Sequence, residues 1–284
     1  MAVVYFKILF ALLVTVISTY IIASEIVLEN AFLKVGINEN AGGAISFLSD
    51  KKTSTNYINS SDLGRYIQLS LYGNADGSQW AGSPSASKAW VWNPVQAGSA
   101  NHERSHVLDL SQSKDEIYVK VNPRNWAGGQ LLREIVFEQW VKLEEDVVHV
   151  KYKATYQGSV NHEERDQEIP AIFLNPKLTD FAYNNGGKII MEKPGFPNKQ
   201  AKVKNHWAAF LSDNYGVGVL TPGADIFTYY YFKDKPACAY MSPIQKFQIN
   251  KGFDKEFDVY LTVGSLEEIS ERFAKIKTSK KKSK

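Results

Sequence analysis

The chain of 284 residues holds one cysteine, three methionines and five histidines. A single thiol, Cys238, excludes an intrachain disulfide, so stability has to come from burial of apolar side chains. Its flanks Ala237 and Ala239 read as buried strand, which argues against nucleophilic cysteine chemistry. No HExxH pair, P-loop, GxSxG elbow or dinucleotide fingerprint occurs, and Gly128-Gly129 and Gly186-Gly187 read as turns. His102 and His106 are four apart, a spacing that joins two ligands only on a helix, so neither a metal nor a cofactor is expected. Past residue 24 no apolar run is long enough to cross a bilayer. An excess of charge of one sign is lacking as well. The net charge is +3, but residues 275–284 alone carry six lysines, and the body without them is slightly acidic. That balance excludes a general nucleic-acid-binding role.

What the chain does have begins with its first residues. Lys7 precedes the apolar run Ile8–Ile17, and the small residues Ala23 and Ser24 stand before Glu25. Residues 1–24 therefore read as a secretory signal, which makes the protein secreted. Tyr20-Ile21-Ile22 lengthens the run towards a bilayer span, and the alternative is an uncleaved anchor, the one route to a membrane. Asn59-Ser60-Ser61 is a glycosylation sequon. Residues 25–277 form the expected domain, and 278–284 a solvated, disordered basic tail.

Aromatics are abundant, with 15 Tyr, 15 Phe and 6 Trp. Period-two alternation marks strands over 25–37, 44–48, 131–143 and 146–156, and further strands are expected over 206–212, 216–221, 225–232, 237–241 and 255–263. Within 146–156 His149 is an ordinary strand-face residue. Residues 73–89 and 184–201 read as loop-rich insertions. One helix is expected: Ser265-Leu266-Glu267-Glu268 is a capping box, followed by Leu266, Ile269, Phe273 and Ile276 at helical spacing. Many antiparallel strands with one C-terminal helix predict an all-β fold, a large antiparallel sandwich.

The opening layout, Ile26-Val27-Leu28-Glu29-Asn30 through Gly42-Gly43-Ala44-Ile45-Ser46-Phe47-Leu48 to Asn56-Tyr57-Ile58-Asn59, resembles the galactose mutarotase-like β-supersandwich domains. Gln167-Glu168-Ile169-Pro170-Ala171 and Val263-Gly264-Ser265-Leu266-Glu267-Glu268-Ile269 resemble segments of secreted sandwich proteins linked to polysaccharide breakdown. The resemblance implies a supersandwich and a carbohydrate partner. Its members include aldose epimerases, hydrolase accessory domains and polysaccharide lyases, so it does not choose a reaction. The epimerases' histidine segments are not recognisable in the chain.

Residues 62–98 carry the strongest signal for a site. Tyr66, Gln68, Ser70 and Tyr72 alternate with Ile67, Leu69 and Leu71, and Trp80, Trp90 and Trp92 crowd the loop beyond. Flat aromatic faces stack on pyranose rings, while amides and a guanidinium grip hydroxyls and carboxylates. Arg65, Gln68, Tyr72, Trp92, Asn93 and Gln96 are therefore the candidate substrate-binding residues. His102, just past this loop, and His162 and Glu168, in the polar cluster 161–168, are the candidate proton-transfer groups. The expected function is a carbohydrate-active enzyme, a polysaccharide lyase or a glycoside hydrolase. The alternatives are a catalytically silent glycan-binding module and a structural protein that uses the same aromatics as core. Phe227, Tyr229 and Tyr231 share one strand face and read either as core or as a stacking platform.

Overall fold

The computed structural model describes residues 25–80, 89–234 and 236–282, with side chains through residue 278. The expected signal or anchor, residues 1–24, lies outside the described residues. So does the segment 81–88 of the first loop-rich insertion.

Two antiparallel sheets pack face to face. One has ten strands. Its main path runs Glu25–Glu29, Leu33–Asn38, Ala44–Asp50, Ile67–Ser70, Arg165–Leu174, Cys238–Phe247, Ile226–Phe232 and Lys199–Lys202, with Pro94–Val95 and Arg124–Asn125 attached beside Ile67–Ser70. The other has nine strands. They run Lys188–Glu192, Asp180–Asn185, Trp207–Ser212, Tyr215–Leu220, Asp254–Ser265, Val147–Tyr156, Ile135–Glu144, Glu116–Asn122 and His106–Gln112. The inward faces supply one continuous core, in which Ile45, Leu48, Ile67, Leu69, Phe137, Val150, Tyr152, Phe181 and Phe227 are wholly buried. Removal of that apolar surface from water is the main force holding the sheets together. The architecture is the all-β, large antiparallel sandwich expected from the alternation.

The C-terminal helix, Leu266–Lys282, covers the outer face of the nine-stranded sheet. Its capping box forms as the sequence predicts: Glu268 N–H donates to Ser265 Oγ at 3.2 Å, and Ser265 N–H donates to Glu268 Oε2 at 2.8 Å. Ile269 and Phe273 bury fully against Trp207, Tyr260 and Leu211. Gly218 lets the helix come this close, since a Cβ there would stand 2.4 Å from Ile269 Cγ2. The helix reaches Lys282 and so enters the segment expected to be a disordered tail from 278. Lysine propagates helices well, and cations at the C-terminus complement the helix dipole.

Two other boundaries differ from the alternation pattern. Residues 25–37 form a hairpin rather than one strand, because Asn30 Oδ1 accepts from the N–H of Phe32 and of Leu33, both at 2.9 Å, and turns the chain. The expected insertion 184–201 contains two edge strands. Gly186 and Gly187, with φ of 73° and 99°, join Asn185 to Lys188 in the two-residue hairpin that requires positive φ at both positions.

Candidate functional site

Strand Ile67–Ser70 and its continuation divide their residues between two surfaces. Ile67, Leu69 and Leu71 enter the core with no exposure, while Gln68, Ser70 and Tyr72 face away from the second sheet and line a cavity of about 240 Å³. The neighbouring strand Arg165–Leu174 contributes Glu168, Ala171 and Phe173 to the same face. Plain alternation would place 168 and 171 on opposite faces. The ladder shifts register on both sides between Glu168 and Ala171/Ile172, at Pro170, which cannot donate a ladder hydrogen bond. This bulge turns Glu168, Ala171 and Phe173 to the cavity, while Ile169, Ile172 and Leu174 remain in the core. Thr228 and Tyr230 arrive from Ile226–Phe232, and Tyr240 from Cys238–Phe247.

Glu168 is the polar centre of this surface. Tyr72 Oη donates to its Oε2 at 2.9 Å, and Tyr240 Oη donates to its Oε1. Burial pushes the carboxyl above the usual carboxylate range, against the hydrogen bonds from Tyr240, Tyr72 and Ser70 that pull it down. Burial and the charge of Glu168 also raise the phenols of Tyr72 and Tyr240 far above their ordinary value, so both remain donors. Tyr230 stacks on Tyr240 with ring centroids 4.4 Å apart.

Indoles form a further wall of the same cavity. Trp80 meets Trp90 edge-on at 5.5 Å and Trp126 edge-on at 5.6 Å. Asn93 ties this wall to the floor: its Oδ1 accepts from Trp90 Nε1 at 3.2 Å, and its Nδ2 donates to Leu71 O at 2.7 Å and Ser70 Oγ at 3.2 Å. Gln68 is similarly held, with Oε1 accepting from Ala97 N–H at 2.8 Å and Nε2 donating to Leu63 O at 3.1 Å.

Of the nine residues singled out from sequence, Gln68, Tyr72, Asn93 and Glu168 line this cavity. Arg65 stands beside it, ion-paired to Asp62, with its guanidinium carbon 5.9 Å from the centre of the Phe173 ring. The other four lie elsewhere. Gln96 is wholly buried and spent on structure: Oε1 accepts from Leu69 N–H at 3.2 Å, and Nε2 donates to Gly42 O and to Gln139 Oε1. Trp92 is buried in the core, stacked on His162 at 4.1 Å, with its Nε1 donating to Glu134. His162 is buried between Trp92 and Tyr156, and its Nδ1 accepts from Asn74 N–H at 3.2 Å. Burial pulls its pKa down, against the charges of Glu134 and Asp76. His102 is exposed on the turn after Ser99, with φ of 62°. Glu168 belongs to a central strand rather than to a loop.

Trp126, Phe173, Tyr230 and Tyr240 also line the cavity, and none is among the residues singled out from sequence. Phe227 and Tyr229 are core, the latter stacked on Phe181 at 3.9 Å, and Tyr231 Oη is tied to Pro176 O. Thr228 and Tyr230, on the opposite face of that strand, are the ones that reach the cavity; their alternation with two core aromatics was the available signal. Among the described residues no cluster of three or more His, Cys, Asp or Glu side chains could hold a metal ion.

No protein-family model matches the chain, and no curated protein sequence matches it. Solved structures do. A galactose mutarotase-like protein from Lactobacillus casei superposes with a TM-score of 0.56 at 13% identity, covering 84% of this chain and 100% of that one. A galactose mutarotase related enzyme from Lactobacillus acidophilus gives 0.55 at 12% identity, covering 85% and 98%. A 4-alpha-glucanotransferase from Thermococcus litoralis gives 0.53 at 15% identity, covering 86% of this chain but 38% of that one. At these identities the likeness is one of fold, and the fold of this chain is the galactose mutarotase-like β-supersandwich.

Proposed function

We propose that the chain binds a saccharide in the cavity centred on Glu168, and that Glu168 is the group that accepts or donates a proton there. One observation carries this reading: a carboxyl gripped by two tyrosine hydroxyls lines one cavity together with three indoles, Trp80, Trp90 and Trp126. Indole faces suit the C–H face of a pyranose, and the carboxyl, the phenols and Thr228 suit its hydroxyls. The folds that superpose on this chain include an enzyme named for galactose mutarotase and a 4-alpha-glucanotransferase, which agrees with a carbohydrate ligand.

The same geometry bears on the reaction. Glycoside hydrolysis commonly uses two carboxyls flanking the bond, and among the described lining residues Glu168 is the one carboxylate. Uronate elimination calls for a cation or a free amide at the substrate carboxylate, and the amides of Gln68 and Asn93 are already bonded within the fold. Arg65, the nearby guanidinium, is already paired with Asp62, and no lysine or arginine lines the cavity among the described residues. For the ring held in this cavity, a neutral sugar with proton transfer through Glu168 and its tyrosines is therefore favoured over a uronate or over hydrolysis by two carboxylates. Secretion through residues 1–24 stays part of this proposal and accords with an extracellular glycan.

The test is a titration of the protein with neutral and uronate-containing saccharides, followed by tryptophan fluorescence. Anomer interconversion, reducing ends and unsaturated ends are assayed in parallel. A neutral saccharide is expected to change the emission, and Trp126→Ala and Glu168→Gln are expected to abolish the change. No response to any saccharide at millimolar concentration overturns the reading.

A further inference from the structure

Beside the indole-walled cavity lies a second and more open one of about 490 Å³, and the two share Tyr72, Glu168, Asn198 and Thr228 as common lining. Strand pairing explains the junction. Gln200 lies opposite Thr228 in the register of the edge strand, and Glu168 lies opposite Ile244, two residues from Lys246. The same sheet face thus continues past Glu168 into a chamber lined by Arg165, Asp166, Gln200 and Lys246.

The two chambers differ in chemistry. The first is walled by aromatic rings, with Gln68 and Asn93 already spent on holding the fold. The second is rich in exposed polar groups. Lys246 Nζ pairs with Glu164 at 3.2 Å, both side chains exposed, Arg165 pairs through Nη2 with Glu163, and Arg165 Nε is screened from solvent without an acceptor. Positive and negative groups are interspersed there, so it offers donors and acceptors to hydroxyls rather than a net charge to an ion. Size points the same way. The first cavity is smaller than the roughly 300–1,000 Å³ of ordinary ligand sites, and joined to the second it falls within that range.

Building on the proposed saccharide site, we infer that the ligand is an oligosaccharide of at least two rings. One ring sits against Trp126 and Trp80. The next occupies the polar chamber against Gln200, Arg165 and Lys246, and the linkage between them lies over Glu168. Exposed Phe196 extends the aromatic surface outward from Tyr230, meeting that ring edge-on at 5.7 Å.

The test compares a monosaccharide with the di- and trisaccharide of the same sugar by titration calorimetry. Wild-type protein is expected to bind the disaccharide at least about tenfold more tightly than the monosaccharide. Gln200 and Lys246 are exposed, so Gln200→Ala/Lys246→Ala should fold normally. That variant is expected to erase the tenfold advantage and leave monosaccharide affinity within about twofold. Equal affinity for one and two rings, or a double variant that keeps the advantage, overturns the two-chamber inference while the first cavity's saccharide binding stands. Absence of binding by any saccharide overturns both.

Discussion

Gly64 offers a way to move one wall of the site without touching a polar group. It lines the cavity, and a Cβ built on it would stand 2.3 Å from Trp126 Cη2, 2.9 Å from Cζ3 and 3.0 Å from Cζ2. Carbon atoms in contact settle at about 3.5–4.0 Å, so Gly64→Ala requires the indole to retreat by roughly 1 Å. Trp80, packed edge-on against Trp126, has to follow. The ring is only half-buried, so the stability loss is expected at the low end of the overpacking range, about 1 kcal/mol. Displacement of the stacking surface is expected to weaken saccharide binding by at least tenfold, about 1.4 kcal/mol. Thermal unfolding and tryptophan-fluorescence titration read the two effects separately. Gly195→Ala is the control, since nothing lies within 4 Å of its Cβ position, and it should alter neither. A Gly64→Ala protein that binds saccharide like wild type refutes the assignment of Trp126 to the binding wall.

Three further outcomes follow from the same geometry. Burial raises the Glu168 pKa above its unfolded value, so its ionised form is disfavoured in the fold, and stability is lost as pH climbs from the unfolded pKa through the folded one. Glu168→Gln removes that charge and should therefore unfold at a higher temperature than wild type at pH 8, with the difference vanishing near pH 4; a variant less stable at both contradicts the burial account. His149 runs the other way. Burial lowers its pKa, but Asp258 at 2.8 Å and Glu144 at 3.0 Å outweigh this and hold it raised, so its contribution is full below about pH 6.5 and fades as pH rises through the folded pKa. A denaturant series from pH 5 to 9 should show this slope in wild type and lack it in His149→Gln. Phe273→Ala empties the helix anchor and should cost about 3–5 kcal/mol in urea unfolding, with saccharide affinity of the folded protein unchanged, because the helix covers the other sheet.

The fold was legible in the sequence wherever burial is one-sided. Ile67, Leu69 and Leu71 alternate with Gln68, Ser70 and Tyr72, and the structure divides them between core and cavity as that pattern requires. Ser265 and Glu268 marked the helix start because capping is a local interaction between four residues. Legibility failed where the determinant is long-range. No strand was expected over 165–174, where 161–168 read as a polar cluster, yet the bulge at Pro170 is what keeps both Glu168 and Phe173 on the cavity face. Trp126 is 36 residues beyond Trp90 in sequence, and only the pairing of Pro94–Val95 with Arg124–Asn125 brings the two to one wall. Trp92 and Gln96 had the composition of ligand-binding groups, but burial between the sheets commits them to the protein's own hydrogen bonds. His162 was drawn into the core by its stack on Trp92, a contact between residues 70 positions apart.

In the proposed complex a saccharide ring touches both the indole wall and the Glu168 carboxyl. A crystal structure of the protein soaked with the tightest-binding oligosaccharide tests it most directly. One ring is expected stacked on Trp126 with a hydroxyl within about 3 Å of Glu168, and a second ring against Gln200. A saccharide seated elsewhere, such as on the outer face of the nine-stranded sheet beside Trp140 and Lys151, would contradict it.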